Sequence, residues 1–207
     1  MNGVSVSSEL NIGELLSKSW DIFTKNVGLL IGAVVLVGLI LIVGSWISFG
    51  LAGIVLTGPL MYGLSLLCLR LVRGESADFN LVFSGFQRFL PSFMAGLLIS
   101  LFAFIGTILC ILPGLFVTII YMLTYFYMVD QKLDFWPAME ASRKAVMDNF
   151  SKWFVLWLVV VLLNFAGGLI CGIGQLVTGP LSFLMIAEAY NRINSGSGEV
   201  YQLSSEG

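Results

Sequence analysis

The residues able to do chemistry are few. No His occurs in the 207 residues, which removes imidazole metal sites and every His-based scheme of acid/base or nucleophile activation. Asp130 and Glu188 each border a long uncharged stretch. With Arg70 or Arg192 they form the polar set that a membrane-embedded lipid enzyme would have to bring together. Asn164 and Gln175 are the only amides deep in apolar sequence, where hydrogen bonding between helices and contact with a ligand are both open. Three Cys are too few for a disulfide scaffold. Cys110 and Cys171 could pair on an oxidising side or stay buried thiols, and Cys68 should stay reduced. No ionisable residue falls at mid-depth of an apolar stretch, which argues against a proton-coupled pump or a charged-ring channel. No cofactor, metal or catalytic residue is expected. A net charge of -2 and a pI near 5.0 give no reason to expect a nucleic-acid partner.

The elements that position these residues follow from charge. Charged residues make up 11% of the chain and hydrophobic ones 58%, far from the balance of a soluble domain, and the mean hydropathy is +0.97. Residues 26–69, 89–129 and 153–187 contain no Asp, Glu, Lys or Arg. A helical crossing takes roughly 20 residues, so each stretch holds two crossings and a tight turn. The expected spans are 27–48, 52–72, 92–110, 113–130, 153–171 and 173–191. All ten basic residues lie outside the three stretches. Because each hairpin returns the chain to its starting side, all ten share one side. Basic residues are retained in the cytoplasm during insertion, so both termini are expected there. No basic residue precedes Lys18 and no apolar core lies near the start, so the first span itself should serve as an uncleaved targeting segment.

Thr57-Gly58-Pro59-Leu60 recurs as Thr178-Gly179-Pro180-Leu181, with a related Leu112-Pro113-Gly114-Leu115 in the middle hairpin. Upstream, Ser19 and Asn26 match Ser142 and Asn149. The expected class is therefore all-α integral membrane: six transmembrane helices as three parallel-repeat hairpins, each preceded by a cytoplasmic amphipathic helix. The repeat units cover about 12–73, 78–130 and 135–193 within a membrane domain at 12–193. Flexible tails are expected at 1–11 and 194–207. Phe79, Val82, Phe83, Phe86 and Leu90 mark one amphipathic face, with Asp78 as N-cap and Pro91 as a break. A second face carries Met139, Val146, Phe150 and Trp153 after Asp134 and Pro137, and a weaker one Ile12, Leu16, Trp20 and Phe23. Such helices lie in the headgroup plane or pack on the bundle. Trp20, Trp136 and Trp153 suit an aromatic belt.

Pro59 and Pro180 stand near the middle of their helices, so each helix bends or breaks at Gly-Pro. The freed carbonyls would either line a pocket or merely mark a packing bend. Gly28 and Gly32, and Gly168 and Gly172, have the spacing that lets helix backbones approach, with Gly44/Ser48 and Gly96/Ser100 as looser pairs.

Several motifs together resemble a known group. They are Gly58-Pro59, the stretch from Asp78-Phe79 to Gly85-Phe86, Ile105-Gly106 to Leu112-Pro113-Gly114, Ala141-Ser142 with Asn149, Gly174 to Gly179-Pro180, and Ala189-Tyr190. Over about 12–193 the chain resembles uncharacterised six-helix bacterial membrane proteins related to the membrane domain of glycerophosphoryl diester phosphodiesterase. In those enzymes a separate soluble domain hydrolyses with His and metal-binding acids, so the resemblance implies a fold and carries no catalytic residue over. The sequence points to a non-enzymatic protein of the bacterial inner membrane, a scaffold, partner-binding or lipid-contacting module. Its partners would be membrane lipid and a membrane or cytoplasmic protein, in an oligomeric state the sequence leaves open. The competing reading is a facilitative carrier whose cavity is framed by Pro59, Pro113 and Pro180.

Overall fold

The computed structural model describes residues 11–47, 51–109, 111–169 and 174–205, and among these every regular element is helical. In chain order they are α1 (Ile12–Lys25), α2 (Val27–Ile47), α3 (Leu51–Val72), a 3-10 segment (Phe79–Phe86), α4 (Phe89–Leu109), α5 (Ile111–Ile120), α6 (Thr124–Asp130), α7 (Phe135–Asp148), α8 (Phe150–Leu169) and α9 (Gln175–Ser205). Five spans among the described residues are long and apolar enough to cross a membrane: Val27–Trp46, Gly53–Val72, Phe89–Leu109, Leu112–Asp130 and Phe150–Leu169. They are compatible with a multi-pass membrane protein. The expected sixth crossing, 173–191, is not among them; its residues from Gln175 on belong to α9, which carries Glu188 and Arg192 and runs on past 193 to Ser205.

The ends of α1 and α7 show how local sequence sets these elements. Both helices have 14 residues and both close at an asparagine, Asn26 and Asn149. Asn26 donates its backbone N–H to the Ile22 and Phe23 carbonyls and its side chain also donates to Ile22 O, satisfying carbonyls that the helix end leaves free. Asn11 opens α1 by accepting from the Gly13 N–H at 3.1 Å. Asp78 and Asp134 occupy N-cap positions without a side-chain cap bond; Asp134 pairs with Arg88 instead.

The Phe79–Phe86 stretch differs from the expected α-helical face. It is a 3-10 helix, whose period of three sorts the residues differently. Val82 and Gly85 turn inward, and Phe83, Phe86 and Phe89 form an outward file with ring centroids 6.3 and 6.4 Å apart. Pro91 breaks nothing: α4 has already begun at Phe89, and a proline in the first turn loses no helical bond. In α1 the inward residues are Leu15, Ser19 and Phe23, and Trp20 is exposed. Trp153 lies in the core at 0% exposure rather than in an interfacial belt, whereas Trp136 is exposed.

The packing order is cyclic. The 3-10 segment packs on α3, α7 packs on α6, and α1 packs on α9. The 3-10 segment and α7 thus each sit on the helix that precedes them in the chain, and α1 sits on α9. Helices α3, α6 and α9 lie innermost: α3 packs on both others, and Phe126 and Tyr127 of α6 meet the Tyr190 ring of α9. Leu60, Leu67, Leu123, Phe126, Leu184 and Met185 fill the space between them. The apolar exposure is on the outer helices, as with Ile42, Phe104, Leu162 and Leu169, a surface hydrocarbon tolerates and water does not.

Candidate functional site

Gly58 and Gly114 sit at close contacts with a neighbouring backbone, and Gly179 does not. Helix α3 runs unbroken through Gly58 and Pro59. A Cβ on Gly58 would strike the Ser92 carbonyl, one on Gly85 the Pro59 carbonyl, and one on Gly96 would lie 2.9 Å from Gly58 Cα. Backbone rests on backbone there. Pro113 is exposed in the first turn of α5, and Gly114 presses on Gly106 and Thr107 of α4. Gly179 has open space around it, and Pro180 is buried within an unbroken α9.

Among the described residues the spaced glycines differ in what they meet. A Cβ on Gly28 would meet nothing within 4 Å; one on Gly32 would meet only the Phe79 ring; and one on Gly168 would meet only Gln175 Oε1 at 3.9 Å. Gly167, one residue earlier, makes the close approach, against Gly174 and Thr178. A residue step turns a helix by about 100°, so spacing alone does not fix which glycine faces a neighbour. Gly172, Cys110 and Cys171 lie outside the described residues.

Asn164 and Gln175 come together. The Gln175 amide donates to Asn164 Oδ1 at 3.0 Å, and Asn164 Nδ2 donates to Ser182 Oγ and to the Val160 carbonyl. Asn164 is half-buried, but Gln175, at the start of α9, is exposed on the chain's own surface rather than buried. The group ties α8 to α9.

A break in the fourth span is the least expected feature. Helix α5 ends at Ile120, residues 121–123 form a turn, and α6 resumes at Thr124. Ser142 of α7, with 0% exposure, fills it. Its hydroxyl donates to the Ile120 carbonyl at 2.7 Å and accepts from the Leu123 N–H at 3.2 Å. Backbone groups freed from a helix in apolar surroundings need such a partner. The matching Ser19 of α1 is equally buried, but its hydroxyl has no hydrogen-bond partner.

The charged residues gather where the three inner helices meet the amphipathic segments. On α3, Leu66, Leu69, Arg70 and Arg73 share one face by their i, i+3, i+4, i+7 spacing. The helix then ends in a Schellman turn. The Gly74 N–H donates to Leu71 O and the Glu75 N–H to Arg70 O, with Gly74 at φ 74°, a conformation that costs an L side chain about 1–2 kcal/mol. The turn folds Glu75 back toward Arg70, 3.8 Å away. Arg73 reaches Asp130 at the end of α6 at 2.6 Å and donates through Nε to Asn191 of α9. The Tyr190 hydroxyl donates to the second Asp130 oxygen at 3.0 Å. A carboxylate at a helix C-terminus opposes the helix dipole, and these two donors offset that. The hydrogen bond to Asp130 raises the Arg73 guanidinium above its ordinary value, against the smaller opposing effect of burial.

A turn along α9, Glu188 has 0% exposure, and one of its oxygens takes both Lys18 of α1 at 2.6 Å and Arg192 at 2.8 Å. Arg192 also holds Glu14 at 3.0 Å. Arg70, Arg73, Glu75 and Asp130, over Leu66, Leu69 and Val129, line a cleft of about 150 Å³. The structure thus brings Asp130 to Arg73, and Glu188 to Arg192. Arg73, Tyr190 and Lys18 are members that sequence reasoning passed over; the only trace of Arg73 is its helical spacing from Leu66 and Arg70. Each of the two carboxylates is held by cations. Among the described residues no three Cys, Asp or Glu side chains cluster as a metal site requires.

No family model matches the chain, and no solved structure matches it. An uncharacterized protein of Mycobacterium bovis is 28% identical to it over 103 residues, and so are uncharacterized proteins from two strains of Mycobacterium tuberculosis. The match covers 50% of this chain and 32% of each of those proteins, so the chain spans about a third of the length of these relatives.

Proposed function

We propose that the chain is a non-catalytic lipid-contacting module of the bacterial inner membrane, with its charged end as the working face. In this reading α9 supplies the sixth crossing, three like-oriented hairpins form the repeat, and both termini are cytoplasmic. Kinship with the six-helix family rests on the same motifs. The observation that carries the reading is the junction of α1, α3, α6 and α9: Lys18, Arg73, Asp130, Glu188 and Arg192 interlock there, while the outer helices present hydrocarbon. Interlocked ion pairs favour a fixed headgroup-level platform over a moving gate. The sealed backbone at Gly58 and Gly85 disfavours the carrier reading, which needs an opening beside Pro59.

The test has two arms. Single cysteines at Ser48 and Ser76 should label from opposite faces of sealed vesicles, Ser76 from the cytoplasmic one. Native mass spectrometry of the gently solubilised chain should show retained phospholipid. Labelling of both from one face removes the topology, and a chain free of lipid at every detergent concentration removes the function.

A further inference from the structure

The cleft at the end of α3 is lined by charges of both signs in a set order. Arg70 and Arg73 project from one helix face; Glu75 is folded back by the Gly74 turn; Asp130 closes the far wall from α6. Below them the lining is Leu66, Leu69 and Val129. Leu66 to Arg73 rises about 10 Å along the helix, the depth over which a bilayer passes from headgroup to hydrocarbon. A volume of about 150 Å³ equals the liquid share of roughly five waters.

Arg73 and Asp130 neutralise each other at 2.6 Å, so the charges open to a ligand are Arg70 and Glu75; an anion at Arg70 would leave Glu75 facing like charge, and a cation at Glu75 would do the reverse to Arg70. A ligand carrying a phosphate and an amine a few bonds apart satisfies both. We propose that this cleft binds a phosphoethanolamine-type zwitterion, phosphate toward Arg70 and ammonium toward Glu75, against the wall that the paired Arg73 and Asp130 form. The proposal rests on the reading of the charged end as a lipid-contacting face and names the headgroup. Arg70 and Glu75 are the exchangeable pair, because they are about half exposed and 3.8 Å apart. Arg73 and Asp130, 2.6 Å apart, form the fixed wall. A primary ammonium donates hydrogen bonds to a carboxylate and a trimethylammonium does not, so choline headgroups should be excluded in favour of ethanolamine ones.

The full chain is exchanged into nanodiscs or micelles doped with phosphatidylethanolamine, phosphatidylcholine or phosphatidylglycerol, and bound lipid is counted by native mass spectrometry. The expected result is phosphatidylethanolamine retained about tenfold over the other two, the worth of one charge-assisted bond. Arg70→Gln should lower retention of phosphatidylethanolamine and phosphatidylglycerol together. Glu75→Gln should lower phosphatidylethanolamine alone and invert the preference. Both sites are exposed, and an unchanged unfolding midpoint confirms that the fold is kept. Free phosphoethanolamine that displaces the lipid assigns the site to the headgroup; lipid that resists displacement assigns it to headgroup and chains together. Equal retention of all three lipids, or indifference to both substitutions, overturns the zwitterion site and leaves the lipid-contacting reading standing. Absence of any retained lipid overturns both.

Discussion

Ser142 and Ser19 hold matching places in the sequence, and their alanine variants should behave oppositely. Ser142→Ala removes one buried hydroxyl that serves two backbone groups, Ile120 C=O and Leu123 N–H. The volume change is small, so no cavity term enters. A buried donor left without a partner costs about 1–3 kcal/mol, and the carbonyl, with its second lone pair, costs less. The expected loss is about 2–3 kcal/mol, a large fraction of the margin of an ordinary domain. Ser19→Ala removes a buried hydroxyl that bonds to nothing, so it should leave stability unchanged or raise it by up to about 1 kcal/mol. Thr118→Ala is the control. That hydroxyl is exposed and bonds within its own helix to Leu115 O, so its loss should fall within about 0.5 kcal/mol. Reversible denaturation in mixed micelles, followed by Trp fluorescence, ranks the three. Hydrogen exchange at the Leu123 amide supplies the local readout and should accelerate in Ser142→Ala alone. If Ser142→Ala and Ser19→Ala shift stability equally, or if Leu123 exchange is unaltered, Ser142 does not seal the break.

The glycines offer a second contrast. Gly85→Ala drives a methyl into the Pro59 carbonyl and should cost about 1–3 kcal/mol or prevent folding, whereas Gly28→Ala meets nothing and should gain up to about 1 kcal/mol of helix propensity in the same denaturation assay. Glu188→Gln leaves Lys18 and Arg192 facing a neutral group and should cost about 3 kcal/mol; Lys18→Met, with Arg192 still in place, should cost about 1 kcal/mol or less. Limited proteolysis should find α1 cut faster in the first than in the second. On α7, the hydrogen bonds from Arg143 hold the exposed Glu140 carboxyl below the usual carboxylate range. A depressed folded value means the pair's contribution is present above that range and fades as pH falls through the lowered value. Carbon-13 titration of Glu140 should show the midpoint move back up in Arg143→Gln.

Much of the helical layout could be read from where charge is missing. Asn26 and Asn149 mark equivalent helix ends because a polar amide before a long apolar run has few other uses. What escaped was decided in three dimensions. The turn at Tyr121-Met122-Leu123 contains neither Gly nor Pro; it exists because a serine 19 residues later reaches it. Phe79, Val82, Phe83 and Phe86 fit the i, i+3, i+4, i+7 spacing of an α-helix, and nothing in the residue types marks the tighter 3-10 turn that buries Val82 and leaves Phe83 and Phe86 outside. Arg73 and Asp130 are ordinary flanking charges until α3 and α6 lie side by side. Gly28 and Gly85 look equally suited to close packing, and only the neighbour distinguishes them.

The closing of the ring by α1 on α9 has a consequence for biosynthesis. The Lys18–Glu188 contact joins residues 170 apart in the chain, so α1 must keep its Leu15, Ser19 and Phe23 face uncommitted until α9 has been made. The 3-10 segment and α7 have no such wait, since each finds its seat on a helix already synthesised. The docking of α1 on α9 should therefore be a slow step, during which an exposed apolar strip is the handle that quality-control proteases and chaperones would grasp.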